Sequence, residues 1–176
     1  SLVGSEMCIR DRLEMNKKEV PLSPMIEDLI EKFTIKTEKT IHFTTDLKTE
    51  KVYADEEFLK EAISNLIDNA IKYSKESVKI NISSSSDANH DIINIYDNGI
   101  GIPQKDQKKI FEKFERASAI KQTRKGGPSG FGLGLNYVYQ VMEAHEGRVY
   151  INSIEGEFSE FSLLIPKIIE LSLIHI

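Results

Sequence analysis

The chain has 176 residues, a hydrophobic content of 40% and a charged content of 29%, which is typical of one well-packed soluble domain. Its net charge is −5, and no dense run of Lys and Arg with interleaved aromatic residues occurs, so nucleic acid is not an expected partner. No apolar run approaches the ~20 residues of a membrane span, and a single cysteine excludes an internal disulfide.

The two ends of the chain show neither a helical nor a strand period. Back-translation of residues 1–12 ("SLVGSEMCIRDR") and 171–176 ("LSLIHI") gives codons that match the end of a library-preparation adapter, in opposite orientations. The first segment also lacks the apolar core of a signal peptide. We therefore expect both segments, including Cys8, to be adapter-derived, and we expect residues 13–170 to be a native fragment.

Hydrophobic periodicity predicts a first helix in "PLSPMIEDLIEKF" and a strand in "KTIHFTTD". The strongest helix is "ADEEFLKEAISNLIDNAIKYS", in which Asp55 is the expected N-cap. The next segments predict two strands, a short helix, an aperiodic loop, a helix and two strands: "SVKINIS", "DIINIYD", "QKDQKKIFEKFER", "ASAIKQTRKGGPSG", "LNYVYQVMEAH", "GRVYINS" and "EFSLLIP". This order favours a two-layer α/β sandwich, with helices on one face of a mixed sheet, over a doubly wound parallel sheet.

Three polar side chains share one face of the strongest helix, opposite its apolar stripe. Asn65, Asn69 and Lys72 stand at positions i, i+4 and i+7. Such a face is either simply solvated or part of a site, since an amide oxygen can ligate Mg²⁺ and a lysine can neutralise phosphate. Tyr73, the next residue, either packs at the edge of the core or forms a wall for a flat base.

The segment "DNGIGIP" follows a predicted strand. Its Asn-Gly pair is a turn signal, and a β-turn alone would explain it. Asp97 ends the strand, however, where a partly buried carboxylate needs a hydrogen-bond donor, and an adenine amine would supply one. Gly99 and Gly101 would let the backbone approach a flat ligand without a Cβ clash.

The segment "GFGLGL" places Gly130, Gly132 and Gly134 just before a predicted helix. It is either a flexible linker or an anion site, because backbone N–H groups at a helix N-terminus bind phosphate. Neither the dinucleotide-binding nor the P-loop glycine pattern is present. Arg116, in "IFEKFER" between the two glycine segments, is either a surface charge or a phosphate clamp.

The fixed order of five segments carries a specific resemblance. "NLIDNAIKYS", "DNGIGIP", "IFEKFER", "GFGLGL" and "EGEFSEFSLLIP" resemble the N, G1, F, G2 and C-terminal boxes of the sensor histidine kinase catalytic domain. The resemblance covers about residues 20–167. It implies the Bergerat ATP-binding fold of gyrase and MutL, an α/β sandwich with a mostly antiparallel sheet. It also assigns residues 20–170 to the catalytic domain and 13–19 to a linker or the end of a dimerisation hairpin.

The resemblance implies roles for the polar residues. Asn69 would ligate Mg²⁺, and Asn65 would support the phosphates and the metal. Lys72 and Arg116 would contact phosphate, so that Asn65, Lys72 and Arg116 form the catalytic set.

Around the base, the resemblance implies that Tyr73 is a wall and that Asp97 accepts from the adenine amine. Residues 104–129 would form a lid over ATP. The other positions expected to contact the nucleotide are Gly99, Gly101, Ile102, Gly130, Gly132, Leu133, Gly134 and Leu135.

The sequence also bears on the chemistry. Related ATPases carry a general-base glutamate where this chain has Asn65, which cannot take a proton from water, and Glu61 is a further turn away. Phosphoryl transfer needs mainly positioning and charge neutralisation. The sequence therefore favours a protein histidine kinase over a hydrolytic Bergerat-fold ATPase or the non-catalytic nucleotide-binding module of a degenerate kinase.

The histidine that would accept the phosphoryl group is not found. His42 and His90 are in or beside strands, and no His-Glu-x-x-x-Pro pattern occurs. In the family, the acceptor lies on an upstream dimerisation domain, so we expect the fragment to bind Mg²⁺ and ATP without phosphorylating itself. His145, in "AHEG", is expected to be structural.

The resemblance further implies partners for the parent protein. These are a second copy in a homodimer and the response regulator of a two-component system. This part would be a cytoplasmic domain with no membrane contact of its own, although most such kinases are anchored in the bacterial inner membrane.

Overall fold

The computed structural model describes residues 14–110, Glu112 and 133–168. Except for two short strands, its helices and strands follow one another as the periodicity predicts. The elements are β1 (Lys17–Pro21), α1 (Leu22–Lys36), β2 (Ile41–Leu47), β3 (Lys51–Asp55), α2 (Glu56–Lys72), β4 (Val78–Ser86), β5 (His90–Asp97), α3 (Leu133–Ala144), β6 (Arg148–Ile154) and β7 (Phe158–Pro166). Residues 104–110 are also helical. Over these residues, no helix combines the length and the hydropathy that crossing a membrane requires.

The main sheet of the described residues has five strands in the order β2-β4-β5-β7-β6. β2 runs parallel to β4, and the other three neighbouring pairs are antiparallel. β1 and β3 form a separate antiparallel pair. The predicted α/β sandwich, with its mixed and mostly antiparallel sheet, is therefore confirmed.

Burial alternates along the central strands because helices cover one face of the sheet. In β5, Ile93 and Ile95 are buried, while Ile92 and Asn94 on the opposite face remain partly exposed. The covering layer includes the apolar stripe of α2, whose buried members are Leu59, Ala62, Ile63, Leu66, Ile67 and Ala70. Burying one large aliphatic side chain contributes about 1.5–3 kcal/mol. The opposite face of α2 can therefore carry polar side chains without weakening the core.

The small sheet was not predicted. β1 and β3 are each five residues long. Half of their side chains are charged, which hides the strand signal. Val20 and Val52 face each other in the ladder and are both buried in the core. β1 begins at Lys17 and pairs with β3, so the last residues of the segment 13–19 lie in this small sheet, and its assignment to a linker or a hairpin end stays a prediction.

Several other predictions fall on residues outside the described part of the chain. They concern the adapter-derived segments, 1–12 and 171–176, and the aperiodic loop at 117–130. The predicted short helix is described over 104–110 and at Glu112, all of which are helical.

Asp55 is the N-cap of α2, as predicted. Its Oδ1 accepts from the Phe58 N–H at 3.1 Å, and its Oδ2 accepts from the Asn16 N–H at 2.8 Å. Its own N–H donates to Nε2 of His145 at 3.0 Å. Asp55 therefore connects three parts of the fold: the segment before β1, the start of α2 and the end of α3.

His145 has the structural role predicted for it. It is 1% exposed, and both ring nitrogens are hydrogen-bonded. Because the Asp55 N–H is a donor, Nε2 is unprotonated, and Nδ1 donates to the Val141 carbonyl at 2.8 Å. Burial lowers the pKa of His145, which favours the neutral imidazole that this arrangement requires.

The turn that ends α3 contains a strained residue. Glu146 has φ of 60°, in the left-handed region that favours glycine. The Gly147 N–H donates to the Met142 carbonyl at 2.8 Å, and the Glu146 N–H donates to the Glu143 carbonyl at 2.9 Å. This is a Schellman ending with glutamate in the position that glycine usually takes.

We therefore expect Glu146→Gly to raise the free energy of unfolding by about 1 kcal/mol, because the strain of the left-handed backbone exceeds the entropy that glycine adds to the unfolded chain. Urea denaturation would measure the change. Glu143→Gly, three residues earlier in regular helix, is the matched control and should lower the free energy of unfolding by a similar amount. A loss of stability in both variants would contradict the prediction.

Candidate functional site

A cleft opens beside the C-terminal half of α2, at the end of β5. It holds about 330 Å³ of empty space, including its open mouth. Eight residues line it: Asn69, Ala70, Tyr73, Asp97, Gly101, Ile102, Ser159 and Phe161. The structure thus brings five of the predicted site residues together, and the side chains of Asn69 and Asp97 share one cavity.

Asp97 is the buried polar group of this cleft. It ends β5 and is 7% exposed, and its Oδ1 accepts from the Gly99 N–H at 2.8 Å. Burial raises the pKa of Asp97 to about 6, and the Gly99 hydrogen bond opposes that rise in part. The cleft therefore contains a carboxylate that is costly to bury and able to accept from a ligand donor.

The turn after β5 is hydrogen-bonded to the end of α2 and to β4. The Ile100 N–H donates to the Tyr73 carbonyl at 3.1 Å, and Oδ1 of Asn98 accepts from the Lys79 N–H at 2.8 Å. These bonds hold the turn against the cleft.

The two glycines of this turn are required by the protein's own contacts. A Cβ on Gly99 would lie 2.7 Å from both Oδ1 of Asp97 and the Tyr73 carbonyl oxygen. Gly101 has φ of +72°, and a Cβ there would collide with the Ile154 carbonyl. Close packing of the chain on itself is thus sufficient to explain both glycines, whatever the ligand adds.

The start of α3 lies against the polar face of α2. A Cβ placed on Gly134 would be 3.8 Å from Cβ of Asn65 and 3.8 Å from Nδ2 of Asn69. The described end of the "GFGLGL" segment therefore reaches the predicted amide pair. Leu133 is the first residue of α3.

Lys72 and Leu135 are two predicted site residues that do not line the cleft. Nζ of Lys72 lies 5.9 Å from the centre of the Tyr73 ring, at the end of α2. Leu135 is 1% exposed and packs in the core, and its contact with a nucleotide stays a prediction. The predicted residues Arg116, Gly130 and Gly132 lie outside the described part of the chain.

Sequence reasoning missed three residues that line the cleft, namely Ala70, Ser159 and Phe161. Ser159 stands opposite Asp97 in the β5–β7 ladder, and its Oγ lies 3.0 Å from Oγ of Ser153. Ser153, on β6, accepts from the Ile102 N–H at 2.8 Å, which links β6 to the turn. The alternation in "EFSLLIP" indicates the inward face of β7, but only the pairing register shows that Ser159 reaches the cleft.

Comparison with known sequences identifies the family. The sequence profile described as "Histidine kinase-, DNA gyrase B-, and HSP90-like ATPase" matches residues 54–169. This chain belongs to that family. Among curated relatives, the sensory kinase SasA of Crocosphaera subtropica is 33% identical over 159 residues, covering 88% of this chain and 40% of the relative. The sensor histidine kinase WalK of Bacillus subtilis is 30% identical over 157 residues, covering 87% of this chain and 25% of the relative.

Solved structures agree with this assignment. The nucleotide-free catalytic domain of the histidine kinase ThkA matches with a TM-score of 0.69 and 25% identity, over 87% of this chain and 98% of that one. The histidine kinase AdeS of Acinetobacter baumannii shares the fold with a TM-score of 0.70 and 23% identity, over 92% of this chain and 74% of that one. The chain therefore carries the ATP-binding catalytic domain found in histidine kinases, and it spans less than half the length of the two curated kinases.

The burial of Asp97 makes a prediction about pH. The folded state holds the Asp97 proton more tightly than the unfolded state, whose pKa is near 3.8. The stability that this group contributes is therefore complete below pH 3.8 and lost as the pH rises through about 6. Asp97→Asn avoids the buried charge and can still accept from the Gly99 N–H. We expect it to raise the free energy of unfolding by roughly 3 kcal/mol at pH 7.5 and by far less at pH 4.

Urea denaturation at the two pH values would measure this change. Asp91→Asn is the matched control, since Asp91 is a similarly buried carboxylate on the same strand that accepts from the Ser86 hydroxyl instead of facing the cleft. A gain for Asp97→Asn that did not depend on pH would contradict the assignment of the titration to this group.

Proposed function

We propose that this domain binds ATP with Mg²⁺ in the cleft and transfers the γ-phosphoryl group to a histidine on a dimerisation domain of the parent protein. The observation that carries the proposal is the shared cavity of Asn69 and Asp97, with Gly134 at the start of α3 directly beside it. One ligand spanning this cleft would meet a carboxylate at one end, and amide side chains and a helix N-terminus at the other.

The base end of the ligand would lie at Asp97. The carboxylate would accept from the exocyclic amine of adenine, which supplies the donor that a buried acceptor needs. Tyr73, Ile102 and Phe161 line the same cavity and would provide apolar walls for the ring. The recognition of adenine would therefore rest on one polar contact within an apolar slot.

The phosphate end would lie between α2 and α3. The backbone N–H groups at the start of α3 and the ammonium of Lys72 favour negative charge. The full-length histidine kinase ShkA, which shares the fold with a TM-score of 0.72 and 22% identity, was solved in complex with AMPPNP. The resemblance adds Arg116, Gly130 and Gly132 to this end, beyond the described residues.

The residues of the phosphate end suit Mg²⁺. Among the described residues, no group of three His, Cys, Asp or Glu side chains forms a metal site. Mg²⁺ usually takes few protein ligands and completes its shell with water and phosphate oxygens, so the amide oxygen of Asn69, supported by Asn65, fits it. When bound, the ion would neutralise charge on the phosphates.

The cleft favours transfer over hydrolysis. Asn65 cannot act as a general base, and Glu61, the nearest carboxylate before it on α2, already accepts a hydrogen bond from the Tyr137 hydroxyl at 2.7 Å. Neither residue is therefore arranged to take a proton from water. A positioned imidazole is itself the nucleophile. Transfer to it needs only orientation and charge neutralisation, which the cleft would supply.

The partners follow from the same proposal. The acceptor histidine would belong to a homodimeric parent protein, and a response regulator would receive the phosphoryl group from it. We also propose that the described domain acts in the cytoplasm, whether or not the parent is anchored in the inner membrane.

Nucleotide binding can be tested by thermal and calorimetric titration with ATP and Mg²⁺. A ligand at one hundred times its Kd stabilises a protein by about 2.7 kcal/mol, so the unfolding temperature should rise clearly. Asp97→Asn should abolish this rise although the free variant is more stable, and Asn69→Ala should remove the increment due to Mg²⁺. Asn81→Ala, on the exposed face of the sheet, is the control. Unchanged affinity in both site variants would overturn the proposed roles.

Transfer can be tested with radiolabelled ATP and a separately produced dimerisation domain from a WalK-type relative. We expect acid-labile label on the added domain, none on this chain alone, and no release of inorganic phosphate above background. Asn65→Ala should lose the transfer while still binding adenosine. Steady release of phosphate by the domain alone would favour a hydrolytic ATPase instead.

A further inference from the structure

A hydrogen bond joins the two helices that flank the phosphate end of the cleft. The Tyr137 hydroxyl on α3 donates to Oε1 of Glu61 on α2 at 2.7 Å. Burial raises the pKa of Tyr137, and the bond to Glu61 raises it further, so the phenol remains a donor throughout the neutral range.

The position of this bond relates it to the proposed site. Glu61, Asn65 and Asn69 follow one another at intervals of four along one face of α2. Tyr137 comes three residues after Gly134, which lies beside Asn65 and Asn69: a Cβ there would be 3.8 Å from each side chain. The two helices are therefore antiparallel here, and the bond lies one turn from the place where α3 meets the amides.

The other end of α3 is held differently. There, buried His145 accepts from the N–H of Asp55, the N-cap of α2. Leu135 and Val138, on either side of Tyr137, anchor the inner side of α3 in the core. Outside that core packing, the described residues hold the end beside the cleft to α2 through the surface bond from Tyr137 to Glu61, which one substitution can remove.

We propose that Tyr137 is a positioning residue, and that its bond to Glu61 sets the distance between the start of α3 and the amide face of α2. This inference rests on the proposed function, since that distance matters when phosphates occupy the gap. The base is held elsewhere, by Asp97 and the turn after β5. Loss of the bond should therefore weaken binding of the triphosphate and leave binding of adenosine unchanged.

The test compares the affinities of Tyr137→Phe for ATP with Mg²⁺ and for adenosine, by calorimetry. We expect Kd for ATP to rise about five-fold, as for the loss of one ordinary hydrogen bond, with Kd for adenosine within two-fold of the wild type. Tyr139→Phe is the matched control, because that phenol on the same helix bonds within the helix, to Glu143 at 3.4 Å. It should leave both constants unchanged.

Variants of Glu61 complete the test. Glu61→Gln keeps an acceptor oxygen and should bind ATP like the wild type, whereas Glu61→Ala should match Tyr137→Phe. The double variant should be no weaker than either single one, because both remove the same bond. Equal losses for ATP and adenosine, or a Tyr137→Phe that behaves like Tyr139→Phe, would overturn the inference alone. A wild type that binds neither ligand would overturn the proposed function as well.

Discussion

The apolar stripe of α2 is buried against the sheet, and this packing fixes the direction of the opposite, polar face of the helix. α2 cannot rotate without exposing Leu66 and Ile67, which are both in the core. Hydrophobic burial of the apolar stripe therefore holds Asn65 and Asn69 beside the cleft. The first turn of α3 lies against this face at Gly134, where a Cβ would stand 3.8 Å from the side chains of Asn65 and Asn69.

Asp97 shows how stability and recognition oppose each other in this domain. A carboxylate at the buried end of a strand raises the free energy of the folded state, and the bond from the Gly99 N–H offsets only part of that cost. Replacing the charge would make the empty protein more stable. Under the proposed function, the charge is retained because a nucleotide completes the hydrogen bonding of this carboxylate. Part of the binding free energy would then come from removing the cost of the buried charge in the unbound protein.

Much of the fold follows from the sequence because its signals are local. The period of α2, the cap at Asp55 and the alternation in β5 and β7 each lie within one segment, and each is found in the structure. The order of the five boxes predicted that Asn69 and Asp97 share a cavity. The short strands β1 and β3 could not be predicted, because five residues with many charges carry no clear period.

The rest of the site depends on contacts between distant segments. Ser159 reaches the cleft only because the β5–β7 register sets it opposite Asp97. Leu135 points into the core because the packing of α3, and not its own sequence, fixes the rotation of that helix. Likewise, the glycine at position 101 follows from the approach of the Ile154 carbonyl, which no local pattern contains.

The bond from the Asn16 N–H to Asp55 has a mechanical consequence. β1 is paired along its length with β3, and β3 runs without a loop into α2, so the entering chain and the nucleotide helix are connected in series through Asp55. Lys17 pairs with Asp55, so the entering end of β1 and the end of β3 that leads into α2 lie side by side at one end of the ladder. A displacement of the chain at Asn16 would thus act directly on the N-cap of α2, without passing along the ladder.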